Sequence, residues 1–283
     1  MVCDIHTAQR MLQDVRRTNF FSVGRVRLAT VEPYRIRRRI GPFFLLAVVS
    51  TLISWYFKGQ LVEPSGIDAA LLQEPLQTTT SREEFAFEYK DKQCRVQPVA
   101  DFELWGLVVS HNNIHSVADI YHDSTSVDTK DLCVIWGENL ERGDYRRVEY
   151  KSGPWTCYIS YPDGVHFAHD AIGNNHLIAA SSLVRDRIGD VRIGDQIRLS
   201  GLLVNYQMSD WESFWRRTST RRDDYDCEVV FVEKLDVVRR GTPGWYAAYR
   251  AGWIAILALP VFYLFLMWIE AGRSDTTTLG RLE

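Results

Sequence analysis

Two uncharged apolar runs constrain this chain more than anything else in it: Ile40 to Phe57 spans 18 residues and Ala251 to Ile269 spans 19, neither with a single charge. Each matches the thickness of a hydrocarbon core, which a helix crosses in about 20 residues. An isolated segment in lipid satisfies all of its backbone donors and acceptors only as a helix, so both runs are expected to be transmembrane helices. Trp55, Tyr56, Trp245, Tyr246, Tyr249, Trp253 and Trp268 gather toward their ends, where amphipathic rings favour the headgroup layer. The mean hydropathy of -0.18 conceals these spans because the apolar residues and the charges are segregated along the chain.

Charge sets the expected orientation. Residues 1–40 carry nine arginines (Arg10, Arg16, Arg17, Arg25, Arg27, Arg35, Arg37, Arg38 and Arg39) against Asp4, Asp14 and Glu32. Basic residues resist translocation, so the leader 1–39 and the tail 270–283 are expected in the cytoplasm, with residues 58–250 on the opposite, periplasmic side of a bacterial inner membrane. Arg239, Arg240 and Arg250 flank the second span on the translocated side, and the larger leader cluster outweighs them. No A-x-A-like cleavage site follows Phe57, which favours an uncleaved anchor over a signal peptide. Within the leader, Met11, Leu12, Val15 and Phe20 share a helical face beside Arg16 and Arg17, a pattern that suits a helix lying on anionic lipid or, equally, a solvated basic tail. Neither span holds an ionisable residue, which argues against an ion pathway or transporter. Ala47, Ser50, Thr51 and Ser54 recur at near three-to-four spacing and permit close approach of another helix, either the chain's own second span or that of a second copy in a homo-oligomer. Pro260 is expected to kink the second span.

The segment between the spans carries 22 basic and 30 acidic residues, a net charge of -8 over 193 residues, which is long enough to bury its own core. A polar stretch, 58–82, containing Pro64, Gly66, Pro75 and the run Thr78–Ser81, is expected to be a linker. A β-rich domain over 83–240 then follows. Phe85, Phe87 and Tyr89 alternate with polar residues, Lys90–Gln93 makes a turn, and Cys94–Val99 returns as a hairpin. Residues 104–110, 131–137, 146–151, 155–161, 195–206 and 227–238 are further strand-like runs rich in β-branched and aromatic residues. One main helix is expected over Asn174–Arg187. Many short strands with one helix argue for a membrane-anchored, mainly β protein whose domain is a small barrel or sandwich.

Four of the five cysteines, Cys94, Cys133, Cys157 and Cys227, fall between the spans, and Cys3 lies in the leader. An even count in a translocated domain suggests two disulfides, with buried free thiols as the alternative. Three pairings exist for four cysteines. Cys133 and Cys157 lie in strand-like runs joined by a polar stretch with Gly143, Asp144, Gly153 and Pro154, so Cys133 with Cys157 is preferred, and Cys94 with Cys227 by elimination.

The segment 187–207, with Gly194, Asp195 and Gly201, resembles the strand of OB-like barrels in which a Gly-Asp turn enters a strand that coils at a glycine. More broadly, DLCVIWGENL, WTCYISYP, a helix, IGDQIRLSG and an Arg-Thr-Ser-Thr-Arg stretch before CEVVFVE resemble, in that order, a group of uncharacterised bacterial inner-membrane envelope proteins. In that group two transmembrane helices flank an OB-like β-rich periplasmic domain. The likeness covers roughly 130–240 and implies a fold and a setting but no catalytic residue.

OB folds often bind single-stranded nucleic acid through a basic groove with stacking aromatics. Here Trp211, Phe214, Trp215 and Tyr225 interleave with Arg216, Arg217, Arg221 and Arg222, but Asp210, Glu212, Asp223, Asp224, Asp226 and Glu228 surround them, so no nucleic-acid partner is expected. Trp211, Phe214, Trp215, Arg216, Arg217, Arg221 and Arg222 instead fit a contact with a protein or an anionic ligand, or a solvated loop with internal ion pairs. No G-x-S-x-G, H-E-x-x-H, Walker A or dinucleotide-binding glycine pattern occurs. His111, His115, Asp119, His122 and Asp123 form one histidine-rich group and His166, His169 and Asp170 in HFAHD another, with His176 apart from both, and neither group has compelling metal-ligand spacing. No catalytic, cofactor or metal residue is therefore assigned. The leading expectation is a noncatalytic envelope component binding another membrane or periplasmic protein. Alternatives are a ligand sensor signalling across the bilayer and a metal-dependent hydrolase using the external histidines.

Overall fold

Successive residues of a strand point to opposite faces of its sheet, and the described residues form nine strands. In the computed structural model, which describes residues 33–114, 126–153, 156–211, 213–222 and 226–279, these are β1 (Leu76–Thr79), β2 (Phe85–Tyr89), β3 (Lys92–Asn112), β4 (Asp128–Ile135), β5 (Glu149–Ser152), β6 (Cys157–Ser160), β7 (Ile172–Ala179), β8 (Gln196–Met208) and β9 (Glu228–Arg239). Seven belong to one sheet in the order β1-β3-β4-β7-β9-β8, with β2 also on β3. β8 pairs back onto β3 from Cys94↔Met208 to Leu107↔Gln196, so β3, β4, β7, β9 and β8 form a closed ring. The β7–β9 pairing is parallel and the other four in the ring are antiparallel. The remaining two strands, β5 and β6, make a separate hairpin.

Local chemistry fixes the turns and bends. Lys90 and Asp91 adopt φ of 48° and 64°, the two-residue left-handed turn that matches strand twist in the β2–β3 hairpin. Gly201 sits at a register shift between β8 and β9, where a Cβ would lie 2.0 Å from the Phe231 carbonyl oxygen. Only glycine lets the two backbones approach this closely. Pro98, which has no N–H to give, occurs where β3 shifts register against β8.

The helices are α1 (Pro33–Phe57), α2 (Glu138–Glu141), α3 (Ser182–Gly189) and α4 (Pro243–Leu279). The helix expected over 174–187 is corrected: Asn174 to Ala179 lie in β7, because β4 and β9 saturate the backbone on both of its edges. The helix begins only after Ser181, whose Oγ accepts from Val184 N at 3.3 Å as an N-cap. Val184 and Ile188 of α3 join Leu104, Leu132, Val134, Leu177, Leu199, Val230 and Val232 in the largest apolar cluster, built from alternate residues of the ring. Lys130 is buried there and donates to the carbonyls of Gly189, the last residue of α3, and of Val191 just after it, at 3.3 and 2.6 Å. Desolvation pushes its pKa down to about 8.

Residues 58–82 differ from a free linker. They form 3-10 turns at Pro64–Gly66 and Ala69–Leu72, bury Leu71 completely, and supply β1 to the sheet.

α1 and α4 are both long and apolar enough to cross a membrane, over Tyr34–Phe57 and Pro243–Gly272. The chain divides into two compact units, residues 46–256 and the residues on either side of them. Within the larger unit, Thr51 and Ser54 are buried, and a Cβ on Gly252 would lie 2.0 Å from Thr51 Oγ1, so α1 and α4 approach closely at Thr51 and Gly252. Phe57 stacks on Trp245 with ring centroids 4.9 Å apart. Within the smaller unit, Arg37 pairs with Glu270 at 3.3 Å. The basic leader before Pro33 lies outside the described residues.

Adding a methyl at Gly201 forces apart two strands of the closed ring. Gly201→Ala is expected to lower the unfolding free energy by about 2 kcal/mol or more, against little change for Ser200→Ala, in thermal or urea unfolding followed by the sheet signal in circular dichroism.

Candidate functional site

β4 and β7 pair so that Asp131 faces His176 and Cys133 faces Asn174. Period-two alternation puts all four on the same side of the sheet, opposite to Leu132 and Leu177 of the ring core. Parallel pairing of β9 with β7 starts at Asn175↔Glu228, which brings Cys227, the residue before β9, over this patch. Ser219 N donates to the Cys227 carbonyl at 3.0 Å and Val229 N to Thr218 Oγ1 at 3.0 Å, so the preceding loop fixes the backbone around Cys227.

The side chains form a connected polar set. His176 Nδ1 lies 2.7 Å from Asp131 Oδ1, and both residues are almost wholly buried. Asn174 Nδ2 donates to Cys227 Sγ at 3.4 Å and lies 3.5 Å from His176 Nε2, so it bridges the two, and Cys227 is among the groups that raise the His176 pKa. Arg216 reaches His176 Nε2 at 3.0 Å. A guanidinium can only donate, so that contact requires a lone pair on Nε2 and places the proton of the neutral ring on Nδ1, toward Asp131. Burial disfavours the imidazolium and the hydrogen bond to Asp131 favours it, raising the pKa of His176, while the Arg216 guanidinium on Nε2 selects the neutral ring. Cys227, His176 and Asp131 thus stand in the order thiol, imidazole, carboxylate, the arrangement in which a base activates a nucleophile and is itself oriented by an acid.

This set opens onto a cavity of about 430 Å³, lined by Cys157, His169, Asp170, Asn174, Arg221, Arg222, Cys227 and Glu228 among others. Cys133 and Cys157 are joined as a disulfide with Cα atoms 5.9 Å apart, which fastens β6 to β4. Ser152 strengthens the same attachment by donating from its N and Oγ to Ser110 Oγ at 2.8 and 2.9 Å. The second bridge expected by elimination, Cys94 with Cys227, is corrected: both are thiols. Cys94 points into an apolar cluster with Tyr89, Val96 and Met208, where desolvation pushes its pKa up to about 12, whereas Cys227 faces the cavity.

The loop residues singled out in the sequence take separate roles. Trp211 packs on Tyr206 and Phe214 with centroid distances of 5.3 Å each, and Phe214 is 60% exposed. Trp215 lies under the Arg95 guanidinium at 5.3 Å. Arg216 turns inward to His176, Arg217 is exposed, and Arg221 borders the cavity. Arg222 is tied to Glu74, to the Pro75 carbonyl at 2.8 Å and to the Trp136 ring. Glu212 and Asp223 to Tyr225 lie outside the described residues.

The histidines disperse. His166 pairs with Glu138 at 2.6 Å and His169 hydrogen-bonds Tyr161 at 3.0 Å, while His176 is buried. His115, Asp119, His122 and Asp123 lie outside the described residues. Among the described residues no three His, Cys, Asp or Glu side chains are grouped to hold a metal ion. His111 is held by burial, and by the charges of Lys130 and Lys58, at a pKa of about 4. Sequence reasoning missed Asp131, Asn174 and the partnership of His176 with Cys227. The available signal was a set of polar residues inside otherwise apolar strand runs, but only the register shows that they face one another.

Searches of protein families, of curated protein sequences and of solved structures find no match to this chain.

Two outcomes follow. Asp131→Asn removes the charge partner of a buried ring and is expected to cost about 3 kcal/mol in equilibrium unfolding. For His111, the folded pKa lies below the unfolded one, so acid favours the unfolded state: stability falls as pH drops from about 6.5 to about 4, by up to about 3 kcal/mol from this residue. His111→Asn should remove that part of the pH dependence in melts compared at pH 7 and pH 5.

Proposed function

We propose that this protein is a two-span envelope component that presents an OB-like domain on the periplasmic side of a bacterial inner membrane to bind another protein. The OB-like reading is supported by the ring order β3-β4-β7-β9-β8, by the parallel β7–β9 pair, and by α3 lying between β7 and β8 in the chain. The membrane setting is supported by the two apolar helices, and the orientation by the arginine-rich leader.

The observation that carries the binding reading is Phe214. A large aromatic side chain stands 60% exposed on a base of Trp211, itself packed on Tyr206, with Arg217 exposed three residues on in the chain. Rigid aromatic anchors beside arginine are the residue types that dominate protein interfaces. The fitting partner is a protein with an apolar pocket rimmed by carboxylates. A net charge of -8 over the domain disfavours nucleic acid as an alternative.

A photoactivatable phenylalanine analogue placed at 214 in the native membrane should give a discrete protein adduct, weakened by Arg217→Glu. The same probe at Leu183, 63% exposed on α3, should not give it. Absence of a protein adduct at 214, or the same adducts at both positions, would contradict the binding reading.

A further inference from the structure

One cavity wall holds both a thiol and a disulfide. Cys227 and Cys157 both line it, and Asn174, which donates to Cys227 Sγ at 3.4 Å, is the direct cross-strand neighbour of Cys133. We propose that this cleft is a thiol–disulfide exchange site in which Cys227 opens the Cys133–Cys157 disulfide, with His176 as its base and Asp131 as a positioning residue. The inference is independent of whether the Phe214 loop engages a partner.

Exchange runs by attack of a thiolate on one sulfur of a disulfide, with the other sulfur leaving. Cys227 passes its proton to His176 Nε2, displacing the Arg216 contact, and the imidazolium so formed keeps its Nδ1–H on Asp131 Oδ1. The Cys227 sulfur attacks Cys157 Sγ. A Cys227–Cys157 bond forms, the Cys133–Cys157 bond breaks, and the electron pair departs on Cys133 Sγ. The proton held by His176 then goes to Cys133, so one thiol and one disulfide give one thiol and one disulfide without an outside oxidant or reductant. Cys157 is the sulfur attacked because it borders the cavity and is half-buried, whereas Cys133 is enclosed in the cluster with Leu107 and Ile135. The Nε2 lone pair that the Arg216 contact requires is the acceptor for that proton. The result detaches β6 from β4 and ties it to the start of β9.

The test uses the full chain in detergent. Acid quench, maleimide blocking under denaturing acid conditions and peptide mapping should find, beside the Cys133–Cys157 link, a Cys157–Cys227 link with maleimide on Cys133. In Cys133→Ser, oxidised glutathione should drive formation of the Cys157–Cys227 bond. Adding His176→Gln should slow that step on the order of 10²-fold, in protein whose circular dichroism spectrum shows it folded. The proposal is overturned if wild type yields the Cys133–Cys157 link alone and Cys133→Ser stops at separate glutathione adducts. It is equally overturned if folded His176→Gln exchanges at an unchanged rate.

Discussion

The 21-residue strand β3 is the constraint on which the rest of the domain depends. It pairs with β1, β2, β4 and β8, and the β8 pairing closes the ring. A closed sheet leaves no unpaired edge among its members and encloses an apolar interior, but one strand can serve four neighbours only if it bends. β3 does so at two register shifts, Pro98/Ala100 and Val108/Ser110, and Gly201 on β8 admits the tight approach to β9. The end of the ring that leads into α4 is held by Asp195, which accepts from Arg192 N, Gly241 N and Arg240 and so joins the start of β8 to the end of β9. Arg240, on the translocated side of the second span by the charge reading, is thereby used as an internal tie.

Ring closure also explains how a reactive arrangement arises from residues far apart in sequence. Asp131 and His176 meet because β4 and β7 are antiparallel in that register, and Cys227 arrives because β9 runs parallel to β7. The burial that perturbs His176 comes from the same packing, with the loop from Trp211 to Arg222 folded over the patch through Arg216. The β5–β6 hairpin, outside the ring, depends on the Cys133–Cys157 bond and the Ser110–Ser152 contacts for its attachment. Closing that loop of 24 residues stabilises the fold by roughly 3 kcal/mol in the chain-entropy model, so chemistry at Cys157 bears directly on local stability.

The sequence made visible whatever depends on local periodicity. The two apolar helices, the β2–β3 hairpin around Lys90 and Asp91, the long β8 strand and the tight role of Gly201 all follow from nearest-neighbour chemistry. Asn174 to Ala179 misled because NNHLIAA has helix-compatible composition, and pairing on both edges overrode that propensity. Leu71 could not be seen as buried from a segment rich in Pro, Gly and Thr. Cys94 and Cys227 were matched by elimination, which presumes that every translocated cysteine is oxidised; Cys94, opposite Met208, instead behaves as a small core residue. The Cys227, His176 and Asp131 set was illegible because no spacing rule links positions that only sheet register brings together.

The proposed topology puts the Cys227 cleft on the translocated side of the membrane, with both termini on the other. A membrane-impermeant maleimide applied to intact spheroplasts, followed by peptide mapping, measures this directly. The account predicts label on Cys227 before lysis and on Cys3 only after it, with Cys94 spared by burial. Label on Cys3 in intact spheroplasts, with Cys227 reached only after lysis, would contradict it.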